Sequence, residues 1–274
     1  MKLLASKSFF RAVLIFNAVV ILIPVLFLFN SSLRETNDFA RTPFKLATDP
    51  YWANFSSVWQ DGDFAIYLKN SIIVTGGSLI LILICALGAG FVLGRYEFRG
   101  HSFIMAFVLS GMLVPAKLAI LPLFIQLKWM HLLNSHIGLI LVYAAGAMPA
   151  AVFIFTGFIR ALPADLDNAA RIDGAKEYQV FARVMLPLIV PVTGIVGIYS
   201  AIPIWNDFLL PLVFVRDESK MTIMQGISVF FGEYGADWGA LFAGLTMAAL
   251  PLVILYVILS GKFIKGLTAG ATKG

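Results

Sequence analysis

The 274 residues are 60% hydrophobic and only 13% charged, with a mean hydropathy of +0.90. Soluble domains carry about 25% charged residues, so a soluble globular fold is excluded. The net charge of +5 is spread over connections between long apolar runs, not gathered into a basic face, which excludes a nucleic-acid surface.

Six runs are long enough to cross a hydrocarbon layer, which takes roughly 20 apolar residues per helix. They are Ala12 to Phe29, Ser71 to Gly94, Ser102 to Leu127, Ile137 to Ile159, Val184 to Trp205 and Gly239 to Gly261, and only the third contains a charge, Lys117. Backbone polar groups in lipid must be satisfied internally, and the runs lack the two-residue alternation of barrel strands. The expectation is an all-α integral membrane protein with six transmembrane helices.

The first run is longer than the 7–15 residues typical of a signal core, and Phe29-Asn30-Ser31-Ser32 is no small-x-small cleavage site. It reads as an uncleaved span. The loop from Asn30 to Asn70 follows, with Tyr51, Trp52 and Phe55 near its middle. Rings of this kind favour the headgroup layer; a contact surface for an external partner is the alternative. The short loop Arg95 to His101 makes the second and third helices antiparallel neighbours. With the N-terminus inside, the inner segments hold twelve basic and five acidic residues, against eight basic and ten acidic outside. That is the positive-inside bias, and it leaves both termini cytoplasmic.

Ala86, Gly90 and Gly94 form a row of small residues one turn apart, as do Ala240, Gly244 and Ala248. Such rows let helix backbones approach closely in lipid, within this chain by preference, or against a second membrane subunit. Pro24, Pro115, Pro122, Pro149, Pro187, Pro191, Pro203 and Pro251 each remove a backbone donor and bend their spans. Cys85 is alone, and His101, His131 and His136 have no metal-ligand spacing with it, so no metal site is expected.

Between the fourth and fifth runs stands the polar block Leu162 to Glu177. Asp165 after Pro163 is placed to cap a short helix, Gly174 ends it, and a second helix runs through Phe181 into Leu186-Pro187. Leu166, Ala169 and Ala170 share one face, Asp167 and Arg171 another. A short amphipathic helix of this kind suits docking in a groove. A helix lying flat on the inner leaflet is disfavoured, because the four acids of the block outnumber its two bases and it carries alanines where bulky anchors are wanted.

Asn168-Ala169-Ala170, then Asp173-Gly174-Ala175, Phe181, Val184 and Leu186-Pro187, resembles the Glu-Ala-Ala loop of permease subunits of binding-protein-dependent ABC importers. Asn70-Ser71, Arg95 with Phe98-Arg99-Gly100, Pro115, Trp205-Asn206-Asp207-Phe208 and the tail Gly266 to Gly274 fit the six-span, maltose-type sugar branch in order. The resemblance implies the ABC importer type I permease fold, organised as a first span with its outer loop (1–66), a core (67–262) holding a coupling helix near 163–187, and a cytoplasmic tail (263–274). It implies that Asn168, Ala169, Ala170, Asp173, Gly174 and Ala175 meet a cytoplasmic ATPase dimer, which itself binds ATP and Mg. It implies a second, non-identical permease, an external or periplasmic binding protein, a sugar-type substrate and a bacterial inner membrane. Asn168 stands where the family usually has Glu, so an anionic contact is lost there or supplied by Asp165 or Glu177. In similar permeases the tail reaches the paired ATPases, which points to Gly270 and Lys273; a disordered end is the alternative.

Trp205, Asn206 and Asp207 combine a ring for a sugar's C–H face with polar groups for hydroxyls, and make the candidate substrate pathway. Asp207 is a functional candidate if it lies at membrane depth, or merely solvated if it lies at the boundary. Lys117 reads as an interfacial anchor. The chain has no G-x-x-x-x-G-K-[ST], no HExxH and no G-x-S-x-G, so no enzymatic activity and no bound cofactor are expected of it. A secondary carrier and a membrane scaffold are the remaining alternatives; neither a duplicated half nor an inverted repeat is visible to support a carrier.

Overall fold

The computed structural model describes the backbone of residues 2–232 and 235–271, with side chains at 9–115, 117–228, 230, 237–254, 256 and 257. The regular secondary structure of the described residues is helical, save for a small hairpin of β1 (Phe231–Gly232) and β2 (Gly235–Ala236). Four helical stretches are long and apolar enough to cross a membrane: Phe9–Ser32, Phe64–Arg95, His136–Ala161 and Glu177–Trp205.

The predicted third span is broken. α5 (His101–Ser110) tightens into a 3-10 turn at Gly111–Leu113, a second 3-10 turn covers Ala116–Ala119, and α6 (Ile120–Trp129) departs with a bend of 84°. Proline explains the break: Pro115 pushes the preceding Val114 to φ −86°, ψ 113°, outside the helical region. Counted as one bent span, the pair brings the total to five. The last predicted run lies in a long helix, Trp238–Ala271, whose apolar described part is Trp238–Ile254.

Two compact units make up the chain. The first takes residues 1–65 and 226–251. It contains α1 (Lys2–Ser32), α2 (Thr36–Arg41), α3 (Ala53–Gln60) and, after the hairpin, the first part of that long helix. On α1, every described side chain from Phe9 to Leu26 is exposed, as suits a helix that is apolar all round and clothed by lipid. Beyond it Arg34 is buried, and its guanidinium donates to Asp38, Thr42 and the carbonyls of Asp38, Thr42, Pro43 and Lys45. That bond to Arg34 holds the Asp38 carboxyl below its ordinary value. Phe27, Phe39, Trp238 and Phe242 pack ring against ring beside it. Ala240 and Ala248 are buried and Gly244 faces Ile227, so this small-residue row serves packing within the unit.

The second unit takes residues 66–225 and 252–274. From Ile66 onward it holds α4 (Phe64–Arg95), then α5, α6, α7 (His136–Ala161), α8 (Asp165–Ile172) and the one-turn α9 (Glu177–Gln179). A π-helical stretch, Val180–Met185, leads into α10 (Leu186–Trp205), followed by α11 (Leu209–Phe214) and α12 (Ile223–Ile227), most of which lies in this unit. Its core is Ile82, Leu139, Val152, Phe155, Ile159, Met185, Ile189 and Val196, all fully buried. α4 and α7 approach so closely that a Cβ on Gly90 would lie 2.6 Å from Phe155 Cβ, and one on Gly94 2.7 Å from Ile159 Cγ2. The first row of small residues thus also seals a seam within the chain. At one end of α4, Asn70 Nδ2 donates to the carbonyls of Ser219 and Met221, and Ser71 Oγ accepts from the Ile223 amide.

Candidate functional site

α8 forms as the sequence predicts, with one change at its start. Asp165 is the first helical residue, while Ala164 occupies the N-cap and contributes no side-chain bond. Asp165 and Asp167 in the first turn and Arg171 in the last still complement the helix dipole. Gly174 ends the helix at φ +83°, a region costly for any residue with a Cβ. The Gly174 amide bonds the Arg171 carbonyl at 3.0 Å and the Ala175 amide bonds the Ala170 carbonyl at 2.9 Å. This double closure is a Schellman motif, and it gives Ala170, Gly174 and Ala175 a local physical reason for their spacing.

Across the turn, Gln179 Oε1 accepts the Lys176 amide at 2.8 Å and starts the next helix. That helix reaches α10 through π geometry, not as a regular α-helix. Pro187 has no amide to return to the preceding turn, and a widened turn accommodates the missing bond.

The helix presents its faces otherwise than its pattern implied. The charged face of α8 turns inward: Asp167 is 2% exposed and Arg95 7%, with Nε to Oδ2 at 2.8 Å. Ala170 and Ala175 are half-buried against the core. Outward stand Leu166, Asn168, Ala169, Asp173, Gly174 and Ile172, the last 85% exposed. The six predicted coupling residues therefore divide, with Ala170 and Ala175 seating the helix and Asn168, Ala169, Asp173 and Gly174 facing out. Ile172 was missed; its apolar side chain beside Asp173 and Gly174 was the available signal.

A second, more open tie braces the block. Arg171 Nε pairs with Glu177 Oε1 at 2.8 Å, Nη2 reaches Oε2 at 3.2 Å, and the Tyr96 hydroxyl donates to the same carboxylate. The Arg171 bond, with Tyr96 adding to it, holds the Glu177 carboxyl below the ordinary glutamate value. The pair is thus complete above that value and is lost only as pH falls through the lowered one. Burial first, and the bond to Glu177 second, push the Tyr96 hydroxyl up. Tyr96 packs on Phe91, and Phe91 on Phe181, at centroid distances of 5.6 and 5.0 Å. Glu177 is therefore already occupied, and Asp165 is the exposed acid beside Asn168.

The second candidate set sits at the joint between α10 and α11. Trp205 is buried, 5% exposed, so its ring does not form an open platform. Asn206 is exposed and donates back to the Ile202 carbonyl at 3.0 Å. Asp207 accepts from the Tyr143 hydroxyl at 2.9 Å and from the Leu209 and Leu210 amides. It anchors the start of α11 to α7, and Tyr143 is a partner that sequence alone did not name. Lys117 is exposed at the break in the third span. Gly270 lies on the last helix, and Lys273 lies outside the described residues.

Residues 86–268 match the family described as the inner membrane component of binding-protein-dependent transport systems. The chain is 35% identical to the diacetylchitobiose uptake system permease protein NgcG of Streptomyces coelicolor, over 95% of this chain and 87% of that one. To the melibiose/raffinose/stachyose import permease protein MelC of Bacillus subtilis it is 33% identical, over 92% and 91%. Its fold is similar to a chain of a bacterial ABC transporter involved in import of the acidic polysaccharide alginate, with a TM-score of 0.77, 22% identity, and coverage of 92% and 97%. With its apolar helices in place, the chain is a multi-pass membrane protein, and it belongs to the family of binding-protein-dependent transport system inner membrane components.

Proposed function

We propose that the chain is a permease subunit of an ATP-driven importer, passing a sugar or sugar derivative from an external binding protein to the cytoplasm by alternating access. The relatives named for diacetylchitobiose and for melibiose, raffinose and stachyose support a di- or oligosaccharide substrate. On this reading the chain crosses a bacterial inner membrane six times with both ends in the cytoplasm. The broken α5–α6 pair counts as the third crossing and the helix from Trp238 as the sixth. It works beside a second permease, and ATP with Mg is bound and hydrolysed by a separate ATPase dimer.

The observation that carries this reading is α8. It is a rigid two-turn helix, fixed to the second unit by its charged face, with Leu166, Ala169 and Ile172 left outward. An apolar helical face of that kind fits a groove on a moving partner. Asn168, Ala169, Asp173 and Gly174 are its contact residues, with Ala170 and Ala175 supporting them from behind. On this reading Trp205, Asn206 and Asp207 belong to the solute path, and Gly270 and Lys273 are contacts to the ATPase pair.

The test is reconstitution of the importer with its ATPase, second permease and binding protein, and comparison with an Ala169→Asp variant. A carboxylate on the docking face has no partner there and must be desolvated. The variant is expected to lose ATP-dependent sugar uptake while the ATPase still hydrolyses nucleotide. Wild-type uptake in the variant, or uptake by this chain without the ATPase, would overturn the assignment.

A further inference from the structure

Arg95 is the last residue of α4, and its guanidinium reaches three other segments at once. Nε lies 2.8 Å from Asp167 Oδ2 in the first turn of α8. Nη1 donates to the carbonyl of Leu162, where α7 ends, at 2.9 Å, and Nη2 lies 3.8 Å from the sulfur of Met185, where α10 begins. Met185 is fully buried. Four segments therefore converge on one forked side chain.

Stability alone does not account for this arrangement. Desolvation of two buried charges offsets most of their attraction, and an apolar pair of similar volume often holds a fold as well or better. The pairing is also imperfect: Nε–H is not aimed at the carboxylate, and Asp167 Oδ1 has no hydrogen-bond partner. What a guanidinium offers instead is rigid, diverging donors that fix several partners in one geometry. An apolar contact would let α8 slide or tilt over the end of α4; the fork does not.

We propose that Arg95, seated by Asp167, is a positioning residue for transport. It makes α8 and the ends of α4, α7 and α10 move as one body, so that a displacement imposed on the outer face of α8 reaches the spans undiminished. The inference rests on the reading of α8 as the ATPase-facing element. The exposed Arg171–Glu177 pair steadies the block through Tyr96, so the charged tie from α8 to the ends of α4, α7 and α10 is assigned to Arg95.

The experiment uses the complete importer in lipid nanodiscs. Spin labels on the native Cys85 of α4, which is exposed, and on Ile172→Cys of α8 report the distance between the two helices. It is recorded without nucleotide and after trapping with ATP and vanadate. The same Ile172→Cys is used to cross-link the ATPase. With Arg95 in place the Cys85–Ile172 distance stays constant between the two states. In an Arg95→Met, Asp167→Leu double variant, which replaces both charges by apolar side chains, the cross-link persists but the distance shifts and its distribution broadens. Arg95→Lys, with one donor site and no fork, falls between. A constant distance in the double variant overturns the proposal. If that variant does not assemble, a constant distance in Arg95→Lys overturns it instead. Failure of Ile172→Cys to capture the ATPase in an otherwise wild-type importer removes the underlying reading of α8, and is distinguished in this way from failure of the Arg95 node.

Discussion

Glycines on α4 divide sharply by what surrounds them. A Cβ on Gly90 would meet Phe155 Cβ at 2.6 Å and the Thr156 amide nitrogen at 3.2 Å, so backbone as well as side chain resists it. At Gly88, two residues earlier on the same helix, nothing lies within 4 Å. Overpacking a close seam costs about 1–3 kcal/mol, whereas Gly to Ala at an open helical site gains up to about 1 kcal/mol from helix propensity. Gly90→Ala is therefore expected to lower the unfolding temperature of the purified protein, and Gly88→Ala to leave it unchanged or raise it. Equal effects of the two would mean that α4 and α7 are not held at this spacing. The row containing Gly90 was legible in the sequence, because small residues one turn apart have only a few uses in lipid. The partner of Arg95 was not. Arg95 and Asp167 lie far apart in the chain, each with the look of a solvated loop charge, and nothing local marks either as buried.

At the scale of elements, α8 and its turn were readable because their signals are local: Pro163 before, acids in the first turn, Gly174 behind. The inward turn of the charged face was hidden, since a helical pattern gives two faces without saying which one the rest of the chain will claim. The interruption of the third span was readable as a bend at Pro115 but not as a break. The difference lies in the residue before the proline and in 3-10 turns that have no strong sequence mark. Gly174 allows a direct test of the turn. With open space around its Cβ position and φ at +83°, a substitution there meets strain without a clash. Alanine is expected to cost about 1 kcal/mol of local stability, and asparagine, which tolerates the left-handed region better, clearly less. Amide exchange at Ala175, whose N–H closes the Schellman turn on Ala170, is the measurement. It should quicken in Gly174→Ala and be nearly normal in Gly174→Asn. Equal quickening in both variants would mean that the turn is held by something other than its backbone conformation.

For the molecule as a whole, the two candidate regions stand in different conditions. The outward face of α8 is ready to be held by a partner, but the joint at Trp205 is closed: the ring is buried, and Asp207 is occupied by Tyr143 and two amides. A side chain in that state meets no sugar, so a role for Trp205 on the solute path requires a second arrangement in which the ring is uncovered. The proposed alternating-access function would supply one, because closure of a partner ATPase would bias an equilibrium between two arrangements of the same helices. A version of this chain with phenylalanine at its other four tryptophans isolates the fluorescence of Trp205, provided the second permease and the binding protein are likewise made tryptophan-free and the ATPase signal is subtracted. Acrylamide is expected to quench it weakly in the nucleotide-free importer. After trapping with ATP and vanadate the quenching should rise severalfold, and a Tyr143→Phe change, which frees Asp207 from α7, should raise it already in the resting state. Identical quenching in the resting and trapped states would place Trp205 in the packing of α10 in both arrangements. The solute path would then have to be sought on other helices.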